Sequence, residues 1–164
     1  MIEVLEANDA HTEIICQIAK KTWAATYKTI LSTDQMRFML DTLYAVPELK
    51  RLIHNRSQLF LILKDNHGYQ GFASFGRRDN DPSISKLHKL YVLPENHGKG
   101  YGRMLIEEVK KRLIKEGITT LDLNVNRHNT ARYFYEKLGF QIIREEDVPI
   151  GQYWMNDYVM RLKF

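Results

Sequence analysis

The segment Leu87–Arg112, LHKLYVLPENHGKGYGRMLIEEVKKR, constrains this chain more than any other. It reads as a short β-strand, a tight glycine loop and a long amphipathic helix. Gly98, Gly100 and Gly102 alternate through the loop. The helix carries Leu105, Val109 and Leu113 at i, i+4 and i+8, with Ile106 beside them. Glu107, Glu108, Lys110, Lys111 and Arg112 form its opposite face. The first backbone N–H groups of a helix lack intrahelical partners, and the helix dipole places partial positive charge there. Glycine lets an anion approach the backbone closely. The unit is therefore an anion cradle suited to a phosphate or diphosphate, with Lys99 and Arg103 adding charge. The same glycines also suit a plain strand-to-helix turn, and their spacing alone leaves both readings open.

Two phosphate loops fail on spacing. The dinucleotide fingerprint needs G-x-G-x-x-G, whereas the run here is G-x-G-x-G, and no G-x-x-x-x-G-K-[ST] run exists. The loop resembles instead the Q/R-x-x-G-x-G/A acetyl-CoA signature of the GCN5-related N-acetyltransferases (GNAT), with His97 standing where Gln or Arg is usual. LYVLPE resembles that family's strand-and-proline entry into the loop. Downstream, NRHNTARYFYEKLGF resembles its second signature, an Asn/Ala helix ending in Tyr-x-x-x-Gly-Phe. Both motifs in the right order, with a helix and a strand between them, are more specific than either alone. The resemblance covers nearly the whole chain. It implies a three-layer α/β/α fold on a mixed, mostly antiparallel sheet that splays at the cofactor site.

The 164 residues fit one domain spanning 1–164. Hydrophobic content of 44% and charged content of 27% are ordinary for a globular protein. No apolar run is long enough to cross a membrane, and MIEVLEANDAHTE has no signal-peptide core. Cys16 is the single cysteine, which excludes an internal disulfide and fits a reducing cytoplasm. Net charge is +4. The basic residues interleave with acids, so the balance reads as a solvated surface plus a local polyanion site, with no nucleic-acid partner expected. No metal site is expected either.

Along the chain, Ile2–Leu5 starts a strand, and Asp9 is the expected N-cap of a helix from about His11 to Tyr27. Ser32 and Gln35 read as a capping box ahead of Met36, Met39, Leu40 and Leu43. A short helix follows Pro47. From Gln58 the period shifts to 2: Leu59–Leu63 and Tyr69–Arg77 form a hairpin around Asp65–Gly68, and Ile84–Leu93 feeds the glycine loop. Thr119–Asn126 alternates as a strand, Asn129–Leu138 is a short helix, and Phe140–Arg144 and Tyr153–Phe164 are strands separated by an acidic loop at Glu145–Asp147.

The family resemblance implies acetyl transfer from acetyl-CoA to a primary amine, probed by needs the sequence meets unevenly: a base, an acid and a donor to the thioester oxygen. No Ser/His/Asp or Cys/His set is present, in keeping with direct attack in a ternary complex. By the resemblance, the diphosphate falls to the backbone of His97, Gly98, Lys99, Gly100, Tyr101, Gly102 and Arg103. The strand end Leu90, Tyr91 and Val92 splays, and the Val92 amide faces the thioester. Tyr135, four residues before Gly139, matches the general-acid tyrosine. Asn129 contacts cofactor or caps its helix, and Lys137 either reaches the CoA phosphates or is solvated. For the base, Lys86, His88, Leu90 and Val92 share a face by period 2, and His88 is the group there with a pKa near neutrality. A water chain is the alternative.

Trp23, Tyr27 and the Ser32–Leu43 helix lie where relatives build the acceptor wall. TWAATYKTILSTDQMRFMLDTLY with the C-terminal DYVM resembles the bacterial spermidine/spermine-acetylating branch, so a small amine or polyamine acceptor is expected. Asp34, Asp41, Glu145, Glu146 and Asp157 are its candidate acidic contacts. The aromatic segments suit a homodimer interface equally well. A protein N-terminal or lysine acetyltransferase and a non-catalytic acetyl-CoA sensor stay open as alternatives.

Overall fold

A computed structural model describes residues 1–164 throughout. In chain order the elements are β1 Glu3–Glu6, α1 Thr12–Tyr27, α2 Thr33–Leu43, α3 Val46–His54, β2 Leu59–Asp65, β3 Gly68–Arg77 and β4 Ser85–Val92, then α4 Tyr101–Lys115, β5 Thr120–Asn126, α5 Ala131–Lys137, β6 Gln141–Ile150 and β7 Tyr153–Lys163. The strands form one open sheet in the order β1-β2-β3-β4-β5-β7-β6. Only β4 and β5 pair in parallel. Helices α1 to α3 cover one face through a cluster including Ile15, Trp23, Met39, Leu49, Ile62 and Phe72. Helix α4 covers the other with Leu105, Ile106, Val109 and Leu113, joined by Tyr135 of α5. This is the three-layer α/β/α arrangement on a mostly antiparallel sheet.

The sheet is nearly divided in two. β4 and β5 pair only through Ser85–Leu121, Lys86–Asp122 and Leu87–Leu123. Beyond Leu87, β4 continues to pair with β3 as far as Val92, while β5 continues with β7 as far as Asn126. The two strands therefore open into a V toward their C-terminal ends, and the glycine loop leaves the sheet at that opening.

Local expectations are corrected in four places. Asn8, not Asp9, supplies the first cap: its side chain accepts from Ala10 N at the head of a 3-10 turn over Asp9–His11 that leads into α1. Ser32 Oγ accepts from Gln35 N, but the Gln35 amide donates to the Trp154 carbonyl at 2.9 Å, so the box is one-sided and α2 is tied to β7 instead. Glu145–Asp147 is not a loop. It lies within edge strand β6, paired with Tyr158, Asp157 and Asn156. Most of β6 is solvent-exposed, so charges cost it little. The fourth correction, in β4, bears on the site.

Candidate active site

The glycine loop follows a 3-10 turn at Pro94–Asn96. Gly98 and Gly100 sit at φ 84° and 83°, left-handed conformations that L side chains adopt at a cost. A Cβ at either position would meet nothing within 4 Å, so glycine is required there by conformation and the space beside the backbone is open. Gly102 is glycine for another reason: a Cβ there would stand 3.1 Å from the Phe134 ring, where α5 closes on α4. Within the loop the backbone bonds are His97 N to Pro94 O, Lys99 N to Asn96 O and Met104 N to Gly100 O. The N–H groups of Gly98, Gly100, Tyr101, Gly102 and Arg103 donate to no protein acceptor. Free amides, open space and the dipole of α4 suit a diphosphate.

Side chains brace the loop from behind. Lys99 Nζ donates to Asn96 Oδ1 (2.8 Å), Asn96 Nδ2 to Gln70 Oε1 (2.5 Å) and Gln70 Nε2 to Asp65 Oδ1 (3.1 Å). The Tyr101 hydroxyl donates to Asp65 Oδ2 at 2.7 Å. The chain locks the loop to the β2–β3 hairpin, a link with no sequence signal beyond the turn residues themselves. Lys99 and Tyr101 thus offer backbone rather than side chain to a ligand. His97 does likewise: its Nε2–H donates to the Val92 carbonyl at 2.9 Å. Arg103 and Lys137 are exposed and have no protein partner.

The edge of β4 along the V is readable from its ladder. Leu93 N donates to Gln70 O across β3. Antiparallel bonding alternates, so the backbones of Leu90 and Val92 point away from β3 and into the V, while Tyr91 points toward β3. Ser74 pairs with Lys89 and Phe75 with Leu87, which leaves His88 as the extra residue of a β-bulge. The bulge breaks the expected period. Leu87, Leu90 and Val92 join the α4-side core, and Tyr91 joins the α1-side core. Lys86, His88, Leu90 and Val92 therefore do not share a face. His88 keeps an exposed edge, but burial of its ring in the crease, with the charges of Lys86, Lys89 and Arg78, pushes its pKa down to about 3. Such an imidazole has little affinity for a proton at neutral pH. Lys89 is 7% exposed, donates to Gln58 Oε1 and is pushed down to about 8, mainly by burial.

Aromatic and acidic groups converge on the V from both faces. Tyr135 comes from the α4 side, its ring edge-on to Phe134 and Phe140. Burial, and then Tyr91, pushes its phenol far up, so it holds its proton. Tyr27 and Tyr91 approach from the α1 side, and both are pushed up, first by burial. Trp23 and Tyr27 are core residues, their rings tilted by 46° with centroids 4.5 Å apart. Buried Tyr44, which sequence reasoning missed, lies edge-on to Tyr91 and Trp23. Its only signal is its place at the end of the apolar run of α2. Asn129 Oδ1 accepts from Ala131 N, which caps the start of α5, and its amide neighbours the Tyr27 phenol. Asp157 of β7 is 7% exposed; Asn124 Nδ2 donates to its Oδ2 and to Glu146 Oε1. A cleft of about 440 Å³ between Glu6, Gln58, Arg77 and Glu116 lies outside this constellation and contains none of its groups.

An open α/β sheet parted between two strands, with an anion-binding loop at the parting, defines a class of proteins that hold an extended phosphorylated ligand along a strand edge. Residues 26–156 match the acetyltransferase (GNAT) domain model, and the chain belongs to that family. It is 25% identical to a spermidine N(1)-acetyltransferase of Thermoplasma acidophilum, over 99% of this chain and 98% of the relative. A 91-residue stretch, 54% of this chain and 60% of the relative, is 33% identical to a ribosomal-protein alanine N-acetyltransferase of Haemophilus influenzae. Among solved structures, the PaiA N-acetyltransferase of Thermoplasma acidophilum in complex with coenzyme A superposes with a TM-score of 0.85 at 27% identity, over 100% of this chain and 99% of that one.

Proposed function

We infer that this GNAT domain moves the acetyl group of acetyl-CoA to a primary amine, by direct attack in a ternary complex. One observation carries the reading: free loop amides and an unpaired strand edge meet at the C-terminal end of β4. The loop backbone from His97 to Arg103 receives the diphosphate, with Arg103 and Lys137 adding charge. The edges of Leu90 and Val92 receive the amide-bearing arm, and the Val92 N–H faces the thioester oxygen, whose developing charge it stabilises. Tyr135 keeps its proton at neutral pH and supplies it to the departing sulfur.

A polyamine is the acceptor we favour, on the end-to-end match to the Thermoplasma spermidine enzyme. Asp34 and Asp41 of α2 are exposed and make no ion pair, so they are available to further cationic groups. Glu145 and Asp147 are already held by Arg127, and Glu146 by Arg144. The Haemophilus match supports a second reading, a protein N-terminal amine. We assign the activity to the cytoplasm, where the free thiol of Cys16 persists. The test is thiol release from acetyl-CoA with putrescine, spermidine, spermine and a peptide bearing a free N-terminus. Spermidine turnover above the peptide supports the polyamine reading, and the reverse order supports the second. Tight acetyl-CoA binding with no acetylated amine leaves a sensor.

A further inference from the structure

We propose that Asp157 receives the acceptor's ammonium group at the mouth of the V and takes its first proton. The inference rests on the transferase reading above. Asp157 lies opposite Asn126 on β7, at the end of the β5 strand that forms one arm of the V. It shares the α1-side face with Met155, which packs into that core, while Tyr135 reaches the V from the α4 side. A proton acceptor and a proton donor therefore flank the opening from opposite faces of the sheet. The carboxylate is nearly enclosed at 7% exposure, and only one of its oxygens is engaged: Oδ2 accepts from Asn124 Nδ2 at 3.2 Å, and Oδ1 accepts from no protein group. Asn124 Oδ1 beside it is buried without a donor, and the indole Nε1–H of Trp23, behind the tyrosines, is buried without an acceptor.

The charges around Asp157 come from several elements. Lys86 of β4 and Arg127 after β5 favour its ionised form, Glu146 of β6 opposes it, and the phenols of Tyr27 and Tyr91 feel its charge. Burial outweighs these and raises the carboxyl above the usual range, which improves it as a proton acceptor. No rival carboxylate is similarly placed. Glu145, Glu146 and Asp147 are tied to arginines, and Asp34 and Asp41 are exposed on α2. In the balanced step, the ammonium gives one proton to Asp157, which returns it to solvent. The neutral nitrogen attacks the thioester carbonyl, forming the C–N bond, and the C–S bond breaks. Sulfur takes a proton from Tyr135, and the second nitrogen proton restores the phenol.

The decisive variant is Asp157→Asn in the full chain, assayed with acetyl-CoA and the amines above. We expect kcat/KM for the amine to fall roughly a hundred- to ten-thousand-fold, with the acid limb of its pH profile lost and acetyl-CoA affinity by calorimetry that of the wild type. Asn124→Ala keeps the carboxylate and removes its donor, so it should displace that limb to higher pH; this second variant carries the test if the first does not fold. Retained turnover with the limb intact in Asp157→Asn, or an unmoved limb in Asn124→Ala, overturns the inference. A wild type that binds acetyl-CoA and acetylates no amine removes the transferase reading and the inference together. A wild type that turns over beside an unimpaired Asp157→Asn removes the inference alone.

Discussion

Tyr135 and Lys89 are both enclosed, and burial moves their protons in opposite directions, keeping one on its phenol and loosening the other from its amine. For Tyr135 the consequence bears on its proposed role as proton donor. Tyr135→Phe preserves the packing against Phe134 and Phe140 and removes the proton. We expect kcat to fall roughly a hundredfold or more while calorimetry finds acetyl-CoA affinity unchanged; an unchanged kcat would remove Tyr135 from the chemistry. For Lys89 the consequence is stability. Its pKa lies at about 8 in the fold against 10.5 for the free side chain, so the unfolded chain binds more protons between those values. Stability therefore rises as pH rises from about 8 to about 10.5, by about 3 kcal/mol in all, and that gain is absent at neutral pH. Lys89→Met removes the buried charge and leaves Gln58 Oε1 still accepting from Ser74. Urea titrations should show the variant more stable than wild type at neutral pH and lacking its alkaline rise.

At the level of single elements, what is local proved readable and what depends on register did not. Helix α4, the β2–β3 hairpin and the glycine loop each follow from a short run of residues: an apolar stripe at i, i+4 and i+8, an Asp-Asn-His-Gly turn, glycines two apart. The bulge at His88 has no such mark, because it exists only relative to the β3 residues opposite, and it reversed the facing of Leu90 and Val92. The acidic stretch Glu145–Asp147 looked like a loop by composition, yet pairing with β7 made it an exposed edge strand. Trp23 and Tyr27 turned inward because α1 buries that side against β3 and β4. The loop yields a prediction that separates its two requirements. Gly100→Ala adds a Cβ in open space at φ 83°, so it should cost about 1–2 kcal/mol of stability through backbone strain and weaken acetyl-CoA binding only modestly. Gly100→Asp adds the same strain and a negative charge in the cradle, and should abolish detectable binding by calorimetry. Equal affinities for the two variants would show that charge at this loop does not matter.

Across the whole molecule, the V exists because three residue pairs alone join β1–β4 to the β5–β7–β6 half of the sheet. At that junction Asp122, with no exposed surface, accepts from Arg161 Nε at 2.7 Å, Arg161 Nη2 at 3.0 Å and Arg78 Nε at 2.9 Å. Arg78 follows β3 and Arg161 belongs to β7, so one carboxylate fastens both halves where the arms of the V meet. Asp122→Asn would leave two arginines without their counter-charge, at a cost of about 3–5 kcal/mol, seen as a lower urea midpoint. The effect on ligand linkage is more telling. On the binding mode proposed above, along the β4 edge, acetyl-CoA stabilises the fold by about 2.7 kcal/mol at a hundred times its Kd. If Asp122 only added stability, the variant would gain the same increment from the same ligand concentration. If it also sets the angle at which β4 and β5 part, a loosened junction presents a less ordered strand edge and a lower affinity, and the increment should be smaller in the variant than in the wild type. Matching increments would show that the V keeps its shape without this ion cluster and that the three backbone pairs suffice to hold it open.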